Sequence, residues 1–176
     1  ESISGRTAGF TTVSYGETEQ HTNFFFTSLM FTGGAAGSVA GGIKVNTVAI
    51  ILVAVLAGVR GRNHTTAFGR EIPDDQINRA LVIVAVSIGM IFVSVIILSM
   101  LEPTTPFLDL FFETVSAFGT NGLSTGVTSE LSIPGRLVLI VTMFIGRIGP
   151  FTIGIAMAQR TYTHLYRYPV EPVTLG

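Results

Sequence analysis

The chain has 176 residues, 48% of them hydrophobic and 12% charged, against roughly 25% charged in an ordinary soluble domain; this is a membrane composition. Ten Lys and Arg against eleven Asp and Glu leave a net charge of −1, without the basic footprint of a nucleic-acid binder. The absence of cysteine excludes disulfide scaffolds, thiol catalysis and Cys-ligated metals, and His21, His64 and His164 lack the spacing of a zinc site.

In chain order, residues 6–14 read RTAGFTTVS, a polar, hydroxyl-rich segment ahead of the first apolar region. That region, residues 24–59, is too long for one simple crossing and contains GGAAGSVAGG at 33–42. Each glycine costs about 1 kcal/mol relative to alanine in a helix interior. We therefore expect helix over 24–32, a break over 33–42 and helix again over 43–59. Open backbone at membrane depth is tolerated only where protein buries it or where it lines a wet cavity. Gly33, Gly37 and Gly41 also fall at i, i+4, i+8, the spacing of a helix-packing face; Gly34 and Gly42, outside that register, favour the break.

Residues 60–79 carry Arg60, Arg62, Arg70 and Arg79, which by the positive-inside rule puts this loop in the cytoplasm. Residues 80–101 contain no charge and would make about 33 Å of helix, enough to cross the hydrocarbon core, ending at Glu102-Pro103. Residues 106–118, PFLDLFFETVSAF, have a helical pattern but are too short to cross. They read as a re-entrant pore helix that returns as an extended segment over 119–127. The last span, 133–159, is apolar except for Arg147, and Pro150 predicts a kink near that arginine. Arg160 and Arg167 place the tail on the cytoplasmic side with the first loop. The remaining connections carry Glu1, Glu17, Glu19, Glu102 and Glu130 and are expected outside. No basic-then-apolar leader precedes this pattern; the chain opens within a polar motif and reads as a fragment of a longer protein.

The chemistry lies in a repeat. Aligning Gly9 with Gly122, 113 residues later (122 − 9), puts Thr7 on Thr120, Phe10 on Leu123, Thr11 on Ser124 and Thr12 on Thr125, and each copy precedes a membrane helix. A dehydrated monovalent cation needs several oxygen ligands without full charge neutralisation, which a strand with carbonyls turned to one axis supplies. Glycine accepts the backbone angles such a strand requires. Ordinary outer turns also favour Gly, Asn, Ser and Thr, but two matched copies at equivalent positions favour the ion-binding reading.

These residues resemble the Trk/Ktr/HKT superfamily of potassium transporters, whose members look like four fused helix, pore-loop, helix units around one pore. RTAGFTT at 6–12 resembles the family's third filter and SAFGTNGLSTG at 116–126 its fourth. GGAAGSVAGGIKV at 33–45 is similar to the intramembrane gating loop, and FIGRIGPFT at 144–152 to the final helix. The resemblance implies an all-α membrane fold of pore-loop repeats. Residues 1–59 would be the end of the third unit, 60–79 a cytoplasmic loop, 80–160 the fourth unit and 161–176 a cytoplasmic tail. It further implies K+ ligands at Thr7, Ala8, Gly9, Phe10, Thr120, Asn121, Gly122 and Leu123. A gate would be built from Gly33, Gly34, Gly37, Ser38, Gly41, Gly42, Lys44 and Arg147. K+ would be the transported ion, with no other cofactor, and the function would be K+ uptake at the bacterial plasma membrane, not enzymatic. Implied partners are the missing N-terminal half of the pore, a second copy in a homodimer, a cytosolic nucleotide-binding regulatory subunit and membrane lipid. The residue at the absent first filter bears on K+ against Na+ selectivity.

Several residues keep two readings. Arg147, a charge that is costly in mid-membrane, repels cations or bonds the loop's carbonyls, or else forms a structural salt bridge, for instance with Glu113. Lys44 either snorkels to the cytoplasm, the cheaper explanation, or holds the loop closed. Asp109 and Glu113 more readily fasten the pore helix to neighbouring donors than attract a cation. The Phe24-Phe25-Phe26 and Phe111-Phe112 runs are lipid-facing or core packing, and His21 is expected to be solvated. The rival function is a secondary transporter with broken helices around a midplane substrate site. A membrane hydrolase lacks a nucleophile–base arrangement within the spans.

Overall fold

In this structure, a computed structural model that describes residues 3–159 apart from 7, 36, 39 and 63 and gives the backbone alone over 149–159, the helices are set by where glycine and proline interrupt apolar sequence. Helix α1 covers Gln20–Phe31 and α2 covers Val45–Val59. Between them the chain leaves helical geometry over residues 32–44, a gap slightly wider than the glycine run. The two ends of the gap meet: Thr32 and Ile43 form a parallel bridge, with Gly33 N donating to Ile43 O at 2.8 Å and Val45 N to Gly34 O at 3.1 Å. A continuous helix with a glycine packing face is thereby excluded.

The loop after α2 contains a small antiparallel hairpin, β1 (Thr66–Ala67) and β2 (Arg70–Glu71), turned by Phe68 and Gly69 at positive φ, the geometry of a two-residue hairpin turn. Helix α3 covers Asp74–Leu101. It starts six residues before the uncharged run because Pro73 precedes it and Asp74 and Asp75 occupy its first turn, where carboxylates suit the helix dipole. An Arg79–Asp75 pair at i, i+4 supports that turn. At 28 residues α3 is about 42 Å long; it is the one helix among the described residues that by length and composition can cross a membrane.

Helix α4 covers Phe107–Gly119 and α5 covers Ile133–Gln159. The repeat seen in the sequence extends to the elements: α1 begins at Gln20 and α5 at Ile133, again 113 residues apart (133 − 20), and a 3₁₀ turn precedes each, at Tyr15–Glu17 and Val127–Ser129. In this register Gly33 matches Gly146. The helix that runs on through Gly146 in the second copy is the one that opens at Gly33 in the first.

The shortest of the α-helices joining the two copies is also the most enclosed. Leu110 and residues 112–119 of α4 are buried, and the main apolar cluster gathers around Phe112, Val115 and Phe118 with Tyr15, Met30, Ile43, Ile91, Val95 and Leu123. Tyr15 packs its ring 5.4 Å from Phe26 and 5.3 Å from Phe112, so a residue from a polar stretch sits at the centre. The longer helices turn apolar side chains outward instead: Leu52 and Val55 on α2, Phe92 and Val93 on α3, Ile140, Val141 and Phe144 on α5 are exposed. Exposed apolar surface of this extent is unstable in water and suits lipid. Of the phenylalanine runs, Phe24 and Phe25 face outward while Phe112 is buried, so both proposed uses occur.

At one end of the molecule the carboxylate of Glu102, just past α3, accepts the Ser132 backbone N–H at 2.8 Å and the Ser132 hydroxyl. Ser132 in turn accepts Gly135 N at 3.3 Å, an N-cap for α5. The two Ser132 donors hold the Glu102 carboxyl below its ordinary value of 4.5. Its contribution to stability is present in full above that ordinary value and lost as the pH falls through the lowered one. Glu102→Gln is therefore expected to lower the thermal midpoint of the purified protein slightly at neutral pH, with the two melting curves converging in acid; a difference independent of pH would exclude this carboxylate as its source.

Candidate functional site

The two glycine-centred segments are folded toward one another. Gly9 has φ +70° and Gly122 φ +78°, both in the left-handed region that favours glycine. Their backbones touch: a methyl built on Gly122 would stand 3.4 Å from Gly9 Cα, and one built on Gly9 would stand 3.2 Å from Asn121 O and 3.9 Å from Gly122 O. The Asn121 and Gly122 carbonyls thus lie beside Gly9. Of the other expected filter residues, Ala8 and Phe10 are exposed next to Gly9, Leu123 is buried, and Thr7 lies outside the described residues.

Each segment is held from behind by a serine. The Ser4 hydroxyl donates to Phe10 O, and Ala8 N and Gly9 N donate to Ser4 O at 3.1 and 3.3 Å. In the second copy, Ser116 Oγ donates to Leu123 O at 2.5 Å and accepts Leu123 N at 3.1 Å, while Asn121 N donates to Ser116 O at 3.0 Å. The carbonyls of Phe10 and Leu123, at equivalent positions, are both engaged this way. The Asn121 side chain donates to Met30 O at 3.3 Å, binding the second tip to the end of α1 and leaving its main chain to face Gly9. Thr120 has φ +53°, rare for a β-branched residue. Its Oγ1 and Asn121 Oδ1 are buried without a hydrogen-bond partner.

Glu113 and Asp109, one turn apart on α4, part company. Asp109 stands in the first turn of α4, where a carboxylate complements the helix dipole. Glu113 is 4% exposed and fastens the returning segment: its Oε1 accepts Ser124 Oγ at 2.5 Å, Thr125 N at 3.0 Å and Thr125 Oγ1 at 3.3 Å, and its Oε2 accepts Thr128 Oγ1 at 2.6 Å.

The broken segment lies against the base of the second tip. A methyl on Gly41 would stand 2.5 Å from Thr120 Oγ1 and 3.0 Å from Gly119 O, and one on Gly42 3.2 Å from Gly119 Cα. Gly42 N donates to Gly146 O at 3.2 Å. In an uninterrupted helix that oxygen would accept the N–H of residue 150, which is proline and has none; the carbonyl freed on α5 is the one the loop uses. Gly146 itself packs directly on the Phe118 carbonyl. Gly33 and Gly34 close the loop's neck, and Gly37 and Ser38 form its exposed tip. Lys44 Nζ donates to two carbonyls of the loop, Ser38 O at 3.0 Å and Ala40 O at 2.5 Å. Lys44 and Arg147 line one cavity of about 370 Å³ with Ser38 and Thr47. A second, larger cavity of about 480 Å³ between α1, α3 and α4 is lined almost wholly by apolar side chains such as Phe24, Phe92 and Phe111 and offers no comparable set of ligands. His21 is exposed beside Glu19.

Glu113 was expected to fasten α4 to neighbouring donors, though not to Ser124, Thr125 and Thr128 in particular; sequence reasoning missed the Asn121 link to Met30 and the Gly42–Gly146 bond. Proline at i+4 from Gly146 is the one local signal that pointed to any of them.

Outward apolar helices around an enclosed short helix, with two polar glycine-centred segments meeting beside it, are the features of a helical membrane protein. The chain belongs to the TrkH family, described as cation transport proteins, which matches residues 1–164. It is 40% identical over its whole length to Ktr system potassium uptake protein B of Bacillus subtilis and 39% identical to the protein of the same name from Vibrio alginolyticus, covering 39% and 38% of those proteins. It is 37% identical over 99% of its length to the potassium/sodium uptake protein NtpJ of Enterococcus hirae, covering 40% of that protein. The chain thus spans about two fifths of the length of these relatives.

Proposed function

We propose that this chain forms part of the pore of a potassium uptake transporter in the bacterial plasma membrane, passing K+ down its electrochemical gradient. The observation that carries this reading is the meeting of Gly9 and Gly122, both at positive φ, from two copies of one motif; the names of the relatives support potassium as the ion. Because the two backbones touch, the ion would sit beside the pair, with further strands from the rest of the pore completing its oxygen ligands. Residues 33–42, Lys44 and Arg147 would be the gate, since Gly41 and Gly42 lie against residues 118–120 and Ser38, Gly41, Gly42, Lys44 and Arg147 line one cavity. A second copy of the chain and a cytosolic nucleotide-binding subunit are the partners in this reading.

The test is flux. The complete transporter, reconstituted into liposomes, is expected to take up K+ in preference to Na+ along an imposed gradient, and equal passage of both ions or none would refute the reading. The break between α1 and α2 beside a cavity also fits a secondary transporter with a midplane substrate. In that case substitutions at Gly9 or Gly122 would change substrate affinity and leave K+/Na+ preference untouched.

A further inference from the structure

We propose that Glu113 is a specificity-determining positioning residue, a brace whose length and acceptor geometry, and not its charge, hold the second tip in register with the first. The inference rests on the transport reading above and adds a residue outside the expected ion ligands and gate. It starts from the spacing of donors. Asn121 N, Leu123 N and Thr125 N all point back to α4, the first two to Ser116 and the third to Glu113. Ser116 stands one turn beyond Glu113 on the same face of that helix. The helix therefore grips the segment at two levels, and the carbonyls of Asn121 and Gly122 lie on the opposite side, next to Gly9.

The two grips differ in kind. Ser116 binds close to the tip through one hydroxyl and its own carbonyl. Glu113 gathers four donors spread over Ser124, Thr125 and Thr128, and a carboxylate has about four acceptor sites on two oxygens. Three of these donors are hydroxyls, which can reverse and accept; Thr125 N–H cannot. A glutamine of the same length would satisfy the set with its carbonyl toward Ser124 and Thr125 and its amide donating to Thr128. Aspartate keeps the charge but is one methylene short of all four donors.

This gives an ordering that separates a brace from an electrostatic attractor of cations. In the complete transporter reconstituted into liposomes, KM and kcat are measured for K+ and for Na+ with each variant. For a brace, Glu113→Gln keeps the ratio of kcat/KM values within about threefold of the parent, while Glu113→Asp and Glu113→Ala lower it about tenfold or more, as sub-ångström positioning of ligands predicts. Preference kept by Glu113→Asp and lost by Glu113→Gln would assign the role to charge and overturn the proposal. An unchanged ratio in all three, with only the amount of folded protein altered, would make Glu113 merely structural and overturn it too. Should Glu113→Ala fail to fold, the double variant Ser124→Ala/Thr128→Val removes donors from the other side, and its ratio is expected to fall several-fold; no change there is likewise fatal. A parent without any K+ preference refutes the transport reading itself, which distinguishes that failure from failure of the brace.

Discussion

Excising residues 33–42 from the complete transporter is expected to raise the K+ uptake rate by about tenfold, the effect of lowering a barrier by about 1.4 kcal/mol, while K+ remains preferred over Na+. The excision is unusually mild for the fold. Thr32 and Ile43 are already bridge partners, and paired strands stand about 4.8 Å apart where covalently linked Cα atoms stand about 3.8 Å apart. Joining the two therefore asks for a closer approach of about 1 Å between neighbouring backbones and a turn where the two parallel segments meet end to end. What disappears is the Gly42–Gly146 bond, the Lys44 bonds to Ser38 O and Ala40 O, the neck bonds of Gly33 N to Ile43 O and Val45 N to Gly34 O, and the backbone lying against Gly119 and Thr120. Initial rates in cells lacking their own K+ uptake, normalised to the amount of protein in the membrane, decide the matter. An unchanged rate would remove the loop from the gate. A higher rate with K+ preference lost would mean that Gly41 supports Thr120 and that the loop belongs to the filter.

Much of this architecture was legible because it is local. A 22-residue run without charge, a 13-residue apolar helix bounded by Pro106 and Gly119, and five glycines in ten positions each carry their geometry in their own composition. The pairing of Gly9 with Gly122 was legible for a different reason: two segments that adopt the same unusual backbone angles favour the same residue, and these two glycines share a positive φ. The start of α3 was displaced by six residues because the uncharged run begins only at Ala80, while the helix itself answers to Pro73 and the acidic turn at 74–75. Lys44 reaches Ser38 O and Ala40 O because the loop bends them back to it, a shape that no spacing encodes. The brace at Glu113 was half legible: a carboxylate on a short enclosed helix requires donors, but which donors depends on how the chain returns after Gly122. Tyr15 shows the same limit, since its burial depends on Phe26 and Phe112 arriving from two different helices.

Replacing Gly9 or Gly122 by alanine is expected to reduce K+ over Na+ preference by about tenfold, with a modest cost in stability. An alanine held in the left-handed region costs about 1–2 kcal/mol, and the chain can escape that cost by rotating φ back to negative values. Rotation about N–Cα of residue 122 turns the carbonyl of Asn121, which lies beside Gly9, and rotation at residue 9 turns that of Ala8, so the escape is taken out of carbonyls next to the contact. Gly9→Ala is expected to be the more severe, because its methyl also meets Asn121 O at 3.2 Å, whereas the methyl of Gly122→Ala meets Gly9 Cα at an ordinary 3.4 Å. The double variant carries the sharper information. Residues in contact do not act additively, so once one tip has turned, the second substitution should cost less than it does alone. Comparing ion preference across the two single variants and the double one measures that coupling directly. Strictly additive losses would mean that the two glycines act at separate places, and a shared ion beside them would have to be given up.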